Sequence, residues 1–167
     1  MHQYTAPIKD MQFAMQELAE LAEICELTAF AEIDVDTVNA VLDEGAKFAA
    51  EVLSPLNASG DREGSKITES GVQEATGFKQ AYEQYVQGGW STLPCPTSFG
   101  GAGMPHVVSS VVSEMWSSAN LAFSIGPMLS IGAIGAINTH ASDTLKTKYL
   151  EKMINGQWTG TMNLTEP

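Results

Sequence analysis

Residues 158–167 read WTGTMNLTEP, from Trp158 to Pro167. Trp158, Gly160, Met162 and Leu164 alternate with Thr159, Thr161, Asn163 and Thr165, and a proline closes the run. This alternation predicts a β-strand with one buried face. A strand needs a neighbour for its backbone N–H and C=O groups. Either an earlier segment supplies that neighbour, or the sequence is unfinished and the strand opens a sheet beyond Pro167. The reading of function turns on that choice.

Upstream, helical spacing dominates. Over 8–25, Met11, Met15, Leu18, Leu21 or Ala22, and Cys25 form one apolar stripe, with Glu17, Glu20 and Glu23 opposite. This predicts an N-terminal helical extension whose methionines pack into a core. Asp34 or Asp36 can cap a second helix. Its buried face would come from Val35, Val38, Val41, Leu42, Phe48, Val52 and Leu53, and Ser54-Pro55 would end it. LNASGDREGS (56–65) then has the composition of an exposed loop. Arg62, between Asp61 and Glu63, belongs there to a solvated turn, or alternatively to a fixed ion pair.

A third helix is expected over about 74–87, with Phe78, Ala81, Tyr82 and Tyr85 inward and Gly88-Gly89 as the stop. GWSTLPCPTSFGGAGMP (89–105) reads as turns with a shape requirement. Its FGGAG is no dinucleotide loop, because that pattern needs a strand before it and a helix after it in a βαβ unit. Pro105 can start a fourth helix through about Ser118. A fifth covers roughly 120–139, and a sixth runs from Asp143 to about Asn155, with Leu145, Tyr149, Leu150 and Met153 inward. About five or six helices and one strand make a mainly α domain leading into a β segment.

Length and charge narrow the class. The 167 residues suffice for one core. At 44% apolar and 17% charged, the chain is globular rather than disordered. A net charge of −12 gives no basic footprint for nucleic acid and no attraction to anionic membranes. Cys25 and Cys95 lie far apart, with neither metal nor redox spacing, and read as reduced thiols of a cytoplasmic protein. No secretory signal is expected at the N-terminus. From Met115 to Ser142 there is no Asp, Glu, Lys or Arg, long enough to span a bilayer. Gly126, Pro127, Gly132 and Gly135 interrupt this stretch, and a helix buried inside a larger helical protein gives the same composition.

Residues 1–155 hold no recognisable catalytic constellation. His2, His106 and His140 are scattered. His140 reads as a hydrogen-bonding group at a helix start, and Glu114, beside Trp116, as a partly buried structural acid. Neither a catalytic residue nor a metal site is expected within the chain.

GWSTLPCPTSFGGAGMP (89–105), EMWSSANLAF (114–123) and KYLEKMINGQWTGTMNLTEP (148–167) resemble the acyl-CoA dehydrogenase family, segment by segment and in its order. The family signature continues past LTEP into a Gly-Ser-Asp stretch that this chain lacks. The resemblance covers about 34–167. The extension over 1–30 and the GDREG loop (60–64) look like the larger bacterial branch, which includes enzymes acting on 3-methylthiopropanoyl-CoA.

The resemblance implies a division into a helical extension over 1–33, the family's N-terminal helical domain over 34–156, and the truncated first strand of the middle β-domain over 157–167. It implies α,β-dehydrogenation of an acyl-CoA thioester with FAD, an electron-transfer acceptor, and a homo-oligomer when complete. Residues matching Met162, Asn163, Leu164 and Thr165 run along the flavin ring in the family, where a strand edge offers alternating donors and acceptors. Phe123–Leu129 would line the acyl-chain pocket, although its composition suits a plain buried helix equally. Glu166 is structural in the family; the catalytic base, with most of the flavin site, falls outside this chain. The 167 residues alone are then expected to be inactive and, with a lone strand and an uncovered helix, to self-associate. The competing reading is a free-standing helical module that binds a partner protein.

Overall fold

The computed structural model describes residues 4–161, which are helical apart from connecting turns and one short hairpin. Helix α1 (Ile8–Phe13) runs directly into a π turn (Ala14–Leu18), and helix α2 (Leu21–Glu26) follows. The helix expected over 8–25 is therefore broken. Glu20 takes the left-handed conformation, φ 52°, between the two pieces. A non-glycine residue there costs roughly 1–2 kcal/mol. Met11, Met15 and Leu21 of the expected stripe are buried against Val38 and Leu42, but Leu18, placed in the same stripe, falls where the π turn ends and is 73% exposed.

Helix α3 (Val35–Phe48) starts where Asp34 accepts the Thr37 N–H at 2.7 Å, which selects Asp34 over Asp36 as the cap. Gly45 is buried against helix α6 (His106–Ala119), where a Cβ would stand 3.4 Å from a Val112 methyl, in ordinary contact. The helix does not stop at Ser54-Pro55. A second π turn (Ala49–Leu53) leads straight into helix α4 (Ser54–Glu63). The expected loop over 56–65 is thus helical through Glu63. Pro55 is the second residue of α4 and follows directly on the π turn, where the Ser54 N–H already bonds five residues back to Ala49 O, so the proline falls where regular i→i−4 bonding is interrupted anyway.

Strands β1 (Lys66–Thr68) and β2 (Gly71–Gln73) form an antiparallel hairpin with Ile67 opposite Val72, which the sequence reading did not include. The hairpin stands on the surface, Ile67 91% exposed, and buries no face of its own. Its base is closed by Glu63, whose carboxylate accepts the Thr76 N–H at 3.0 Å and the Thr76 hydroxyl at 2.9 Å. Arg62 makes no ion pair; the salt bridge among the described residues joins Lys47 and Glu44.

Helix α5 (Phe78–Gln87) starts later than expected. Helices α6 (His106–Ala119), α7 (Leu121–His140) and α8 (Asp143–Ile154) lie within a few residues of their expected positions. The loop between α5 and α6 satisfies its own backbone, with Ala102 N–H on Thr92 O and Met104 N–H on Leu93 O, both at 2.9 Å. Gly101 is required there, since a Cβ would lie 2.0 Å from the Cys95 carbonyl oxygen.

The larger core cluster is centred on α3, α6 and an aromatic group of Phe48, Tyr85, Trp90, Trp116 and Phe123. Trp116 meets Trp90, Tyr85 and Phe48 edge-on at 5.3, 5.4 and 5.8 Å between ring centroids. Edge-on contacts add about 0.5–1.5 kcal/mol per pair beyond area burial. Burial, helped by neighbouring Tyr82 and Cys95, pushes the Tyr85 hydroxyl well above the ordinary phenol range. A smaller cluster of Cys95, Ile134, Leu150, Met153 and Ile154 joins α7 to α8.

Candidate functional site

Helix α7 carries no charge before His140 in its last turn, and its apolar residues do not keep to one face. Phe123, Ser124, Pro127 and Ile134 point inward. Leu121, Ile125 and Met128 form an exposed stripe, 60%, 45% and 59% accessible. By length and composition the helix could cross a membrane, yet only 17% of its most apolar stretch is buried within this fold. Helix α7 packs against α6 and α8, and within these residues its outer face stays uncovered, as expected for the 167 residues alone.

Along another flank of α7 lies a groove of about 490 Å³. Ala122, Phe123, Gly126, Pro127 and Leu129 form its α7 wall. Phe78 and Tyr82 of α5 form the second wall, with Glu74 and Lys79. The third is the chain at Thr159, Gly160 and Thr161. At Gly126 the groove floor is bare backbone, with no heavy atom within 4 Å of where a Cβ would stand. Pro127 withholds the backbone N–H that a helix interior would direct at the Phe123 carbonyl, so α7 departs from regular bonding where it lines the groove. Volume and lining fall within the range of small-ligand sites.

The third wall is tied to the helices on three sides. Tyr82 Oη donates to Gly156 O at 3.2 Å. The Trp158 N–H donates to Lys152 O at 3.0 Å, and its ring sits 5.8 Å from that of Tyr149, with Lys152 Nζ 4.4 Å from the Trp158 centroid. The Gly160 N–H donates to Ser130 Oγ at 3.0 Å. Burial raises the Tyr82 hydroxyl above its ordinary value, so it serves as a neutral donor.

Of the strand expected over Trp158–Pro167, the described part, 158–161, is a bend and irregular chain without a strand partner. Met162, Asn163, Leu164, Thr165 and Glu166 lie outside the described residues, as does His2. Phe123–Leu129 is where the resemblance puts an acyl pocket, and several of its residues do face the groove. His106 is exposed at the start of α6, beside a separate cleft of about 210 Å³ between α6 and α7. His140 is the exposed last residue of α7 and makes no helix-start hydrogen bond; Glu114 is exposed rather than partly buried. No group of His, Cys, Asp and Glu able to hold a metal ion occurs among the described residues. The sequence reading missed the partners of the α7 wall: Phe78 and Tyr82 were legible as one helix face, but nothing in their spacing says what that face meets.

This architecture is the N-terminal helical domain of the acyl-CoA dehydrogenases: residues 35–157 match the family model described as acyl-CoA dehydrogenase, N-terminal domain, and the chain belongs to that family. It is 40% identical over 164 residues to a 3-methylmercaptopropionyl-CoA dehydrogenase of Ruegeria pomeroyi, covering 98% of this chain and 28% of that protein. It is 32% identical over 168 residues to a butyryl-CoA dehydrogenase of Syntrophomonas wolfei, covering 98% of this chain and 27% of that protein. The chain thus spans little more than a quarter of the length of these relatives.

Proposed function

We propose that this chain is the N-terminal part of a flavin-dependent acyl-CoA dehydrogenase, and that the groove beside α7 receives the acyl chain of the thioester. The observation that carries the proposal is an uncharged α7 wall, bare at Gly126, whose opposite wall runs at Thr161 into Met162. Met162, Asn163, Leu164 and Thr165 are the residues proposed to hold the flavin along a strand edge. FAD, when bound, supplies the acceptor for the hydride leaving the substrate's β-carbon. This chain's share is to bind the acyl chain, exclude water from it and orient it. Proton abstraction is assigned to a carboxylate outside these residues, so 1–167 alone is proposed to be inactive.

The division at 33/34 and 156/157 belongs to the same proposal, with 157–167 as the start of the middle β-domain. So do an electron-transfer partner, a homo-oligomeric whole and a cytoplasmic location. The test is acyl-CoA-dependent reduction of an artificial electron acceptor, measured on the native polypeptide captured from its source by an antibody to this chain. Turnover is expected there and not from residues 1–167. Turnover by residues 1–167, or none by the native polypeptide across short and long acyl-CoAs, would overturn the proposal.

A further inference from the structure

Gly160 sits in a space that fits nothing larger. A Cβ there would lie 2.6 Å from the Ala133 Cβ and 3.2 Å from the Ser130 Cα. Its N–H is held by Ser130 Oγ at 3.0 Å, and that hydroxyl donates its own proton to Gly126 O at 3.1 Å, one turn back along α7. One hydroxyl therefore ties the bare floor of the groove, at Gly126, to the opposite wall, at Gly160. The other anchors of this segment, at Gly156 and Trp158, lie before the groove-lining residues 159–161. Among the hydrogen bonds of the described residues, the Ser130 contact alone holds 159–161 against α7.

We propose that Ser130 is a positioning residue, latching the 159–161 wall onto α7 and so fixing the width of the groove for an acyl chain. The inference rests on the acyl-CoA reading above for its ligand, but not for its geometry. Ser130 needs its hydroxyl as donor and acceptor at once. Alanine removes both bonds while favouring the helix; threonine keeps both. Gly160→Ala breaks the latch from the other side by steric contact with Ala133.

The test uses the native polypeptide and its Ser130→Ala, Ser130→Thr and Gly160→Ala variants. Two quantities are measured: hydrogen exchange of the peptide covering 157–161, and affinity for a thioether acyl-CoA analogue that cannot be dehydrogenated. Losing one hydrogen bond corresponds to a change of about 2- to 10-fold. Faster exchange and weaker binding by that factor are expected for Ser130→Ala and Gly160→Ala, with wild-type values restored in Ser130→Thr. Affinity for free CoA should not change. Unaltered exchange in Ser130→Ala overturns the latch. Faster exchange with unaltered analogue affinity overturns its role in the groove. A wild-type protein that takes no analogue defeats the acyl-CoA reading instead, and hydrogen exchange alone still decides the latch.

Discussion

The side-chain amide of Asn120 donates to the Leu53 carbonyl at 3.2 Å, joining positions 67 residues apart. Leu53 closes the second π turn, and Asn120 is the cap of α7, its Oδ1 accepting the Phe123 N–H at 3.1 Å. Asn120 is 1% exposed. Both halves of one amide are thus used, one to start a helix and one to satisfy a carbonyl at the end of another element. Asn120→Ala is expected to lower stability by about 2–3 kcal/mol, combining a lost cap with a buried carbonyl left without its donor. Asn120→Asp keeps the cap acceptor but sets a carboxylate against the Leu53 carbonyl, so it should be at least as damaging. Chemical denaturation with an unchanged m-value measures both.

Gly126 separates binding from stability. No heavy atom lies within 4 Å of a Cβ built at Gly126, so Gly126→Leu meets no clash across the groove, and its gain of roughly 1 kcal/mol in helix propensity offsets the crowding of the new Cβ by the Pro127 ring. The same side chain would occupy the groove. Equal or higher thermal stability together with loss of acyl-CoA analogue binding is expected. Retained binding would show that the acyl chain lies elsewhere.

The two thiols should differ sharply toward alkylating reagents. Cys95 is 2% exposed, and burial pushes its thiol up to about 11, so at neutral pH it is both protonated and covered. Cys25 is only half-buried, with its thiol raised more modestly by burial and by Asp34. Iodoacetamide followed by mass spectrometry is expected to label Cys25 in the folded protein and Cys95 only on unfolding.

Closure of the hairpin base should be acid-sensitive. The Thr76 backbone N–H, and then its hydroxyl, hold the Glu63 carboxyl below the ordinary glutamate range. A lowered native pKa means that this contribution is complete above the unfolded value, about 4.3, and is lost as pH falls through the lower native one. The Thr76 amide signal is expected to titrate with its midpoint below that of free glutamate. Glu63→Gln should abolish the titration.

How much of this was legible beforehand varies by element. Helices α6 to α8 carry their own punctuation, Pro105 before α6, Asn120 between α6 and α7, and Gly156 after α8. The break at Glu20 carries none, since nothing between Ile8 and Glu26 is glycine or proline. The continuation through Pro55 was illegible because a proline signals a helix end unless hydrogen bonding has already been reset, and two alanines and a glutamate do not announce a π turn. The hairpin escaped because its strands bury nothing, so no alternation was selected. For the groove, composition marked the α7 wall, while the latch at Ser130 depends on contacts between positions 30 residues apart, which periodicity does not encode.

The π turn at Ala49–Leu53 also bears on how kin of this chain are to be aligned. A π turn spends one residue more than an α turn in making the same advance of bonding. Between Phe48 and Ser54 the chain thus holds an insertion that leaves no loop behind. Removing one residue there lets the turn close as an ordinary α turn and keeps Ser54 facing the Tyr4 N–H it accepts at 3.0 Å, whereas a deletion in the regular part of α3 would carry everything after it about 100° around the helix axis. A homologue shorter by one residue in this region is then best aligned with its gap inside 49–53, not in the more tempting exposed hairpin at 66–73.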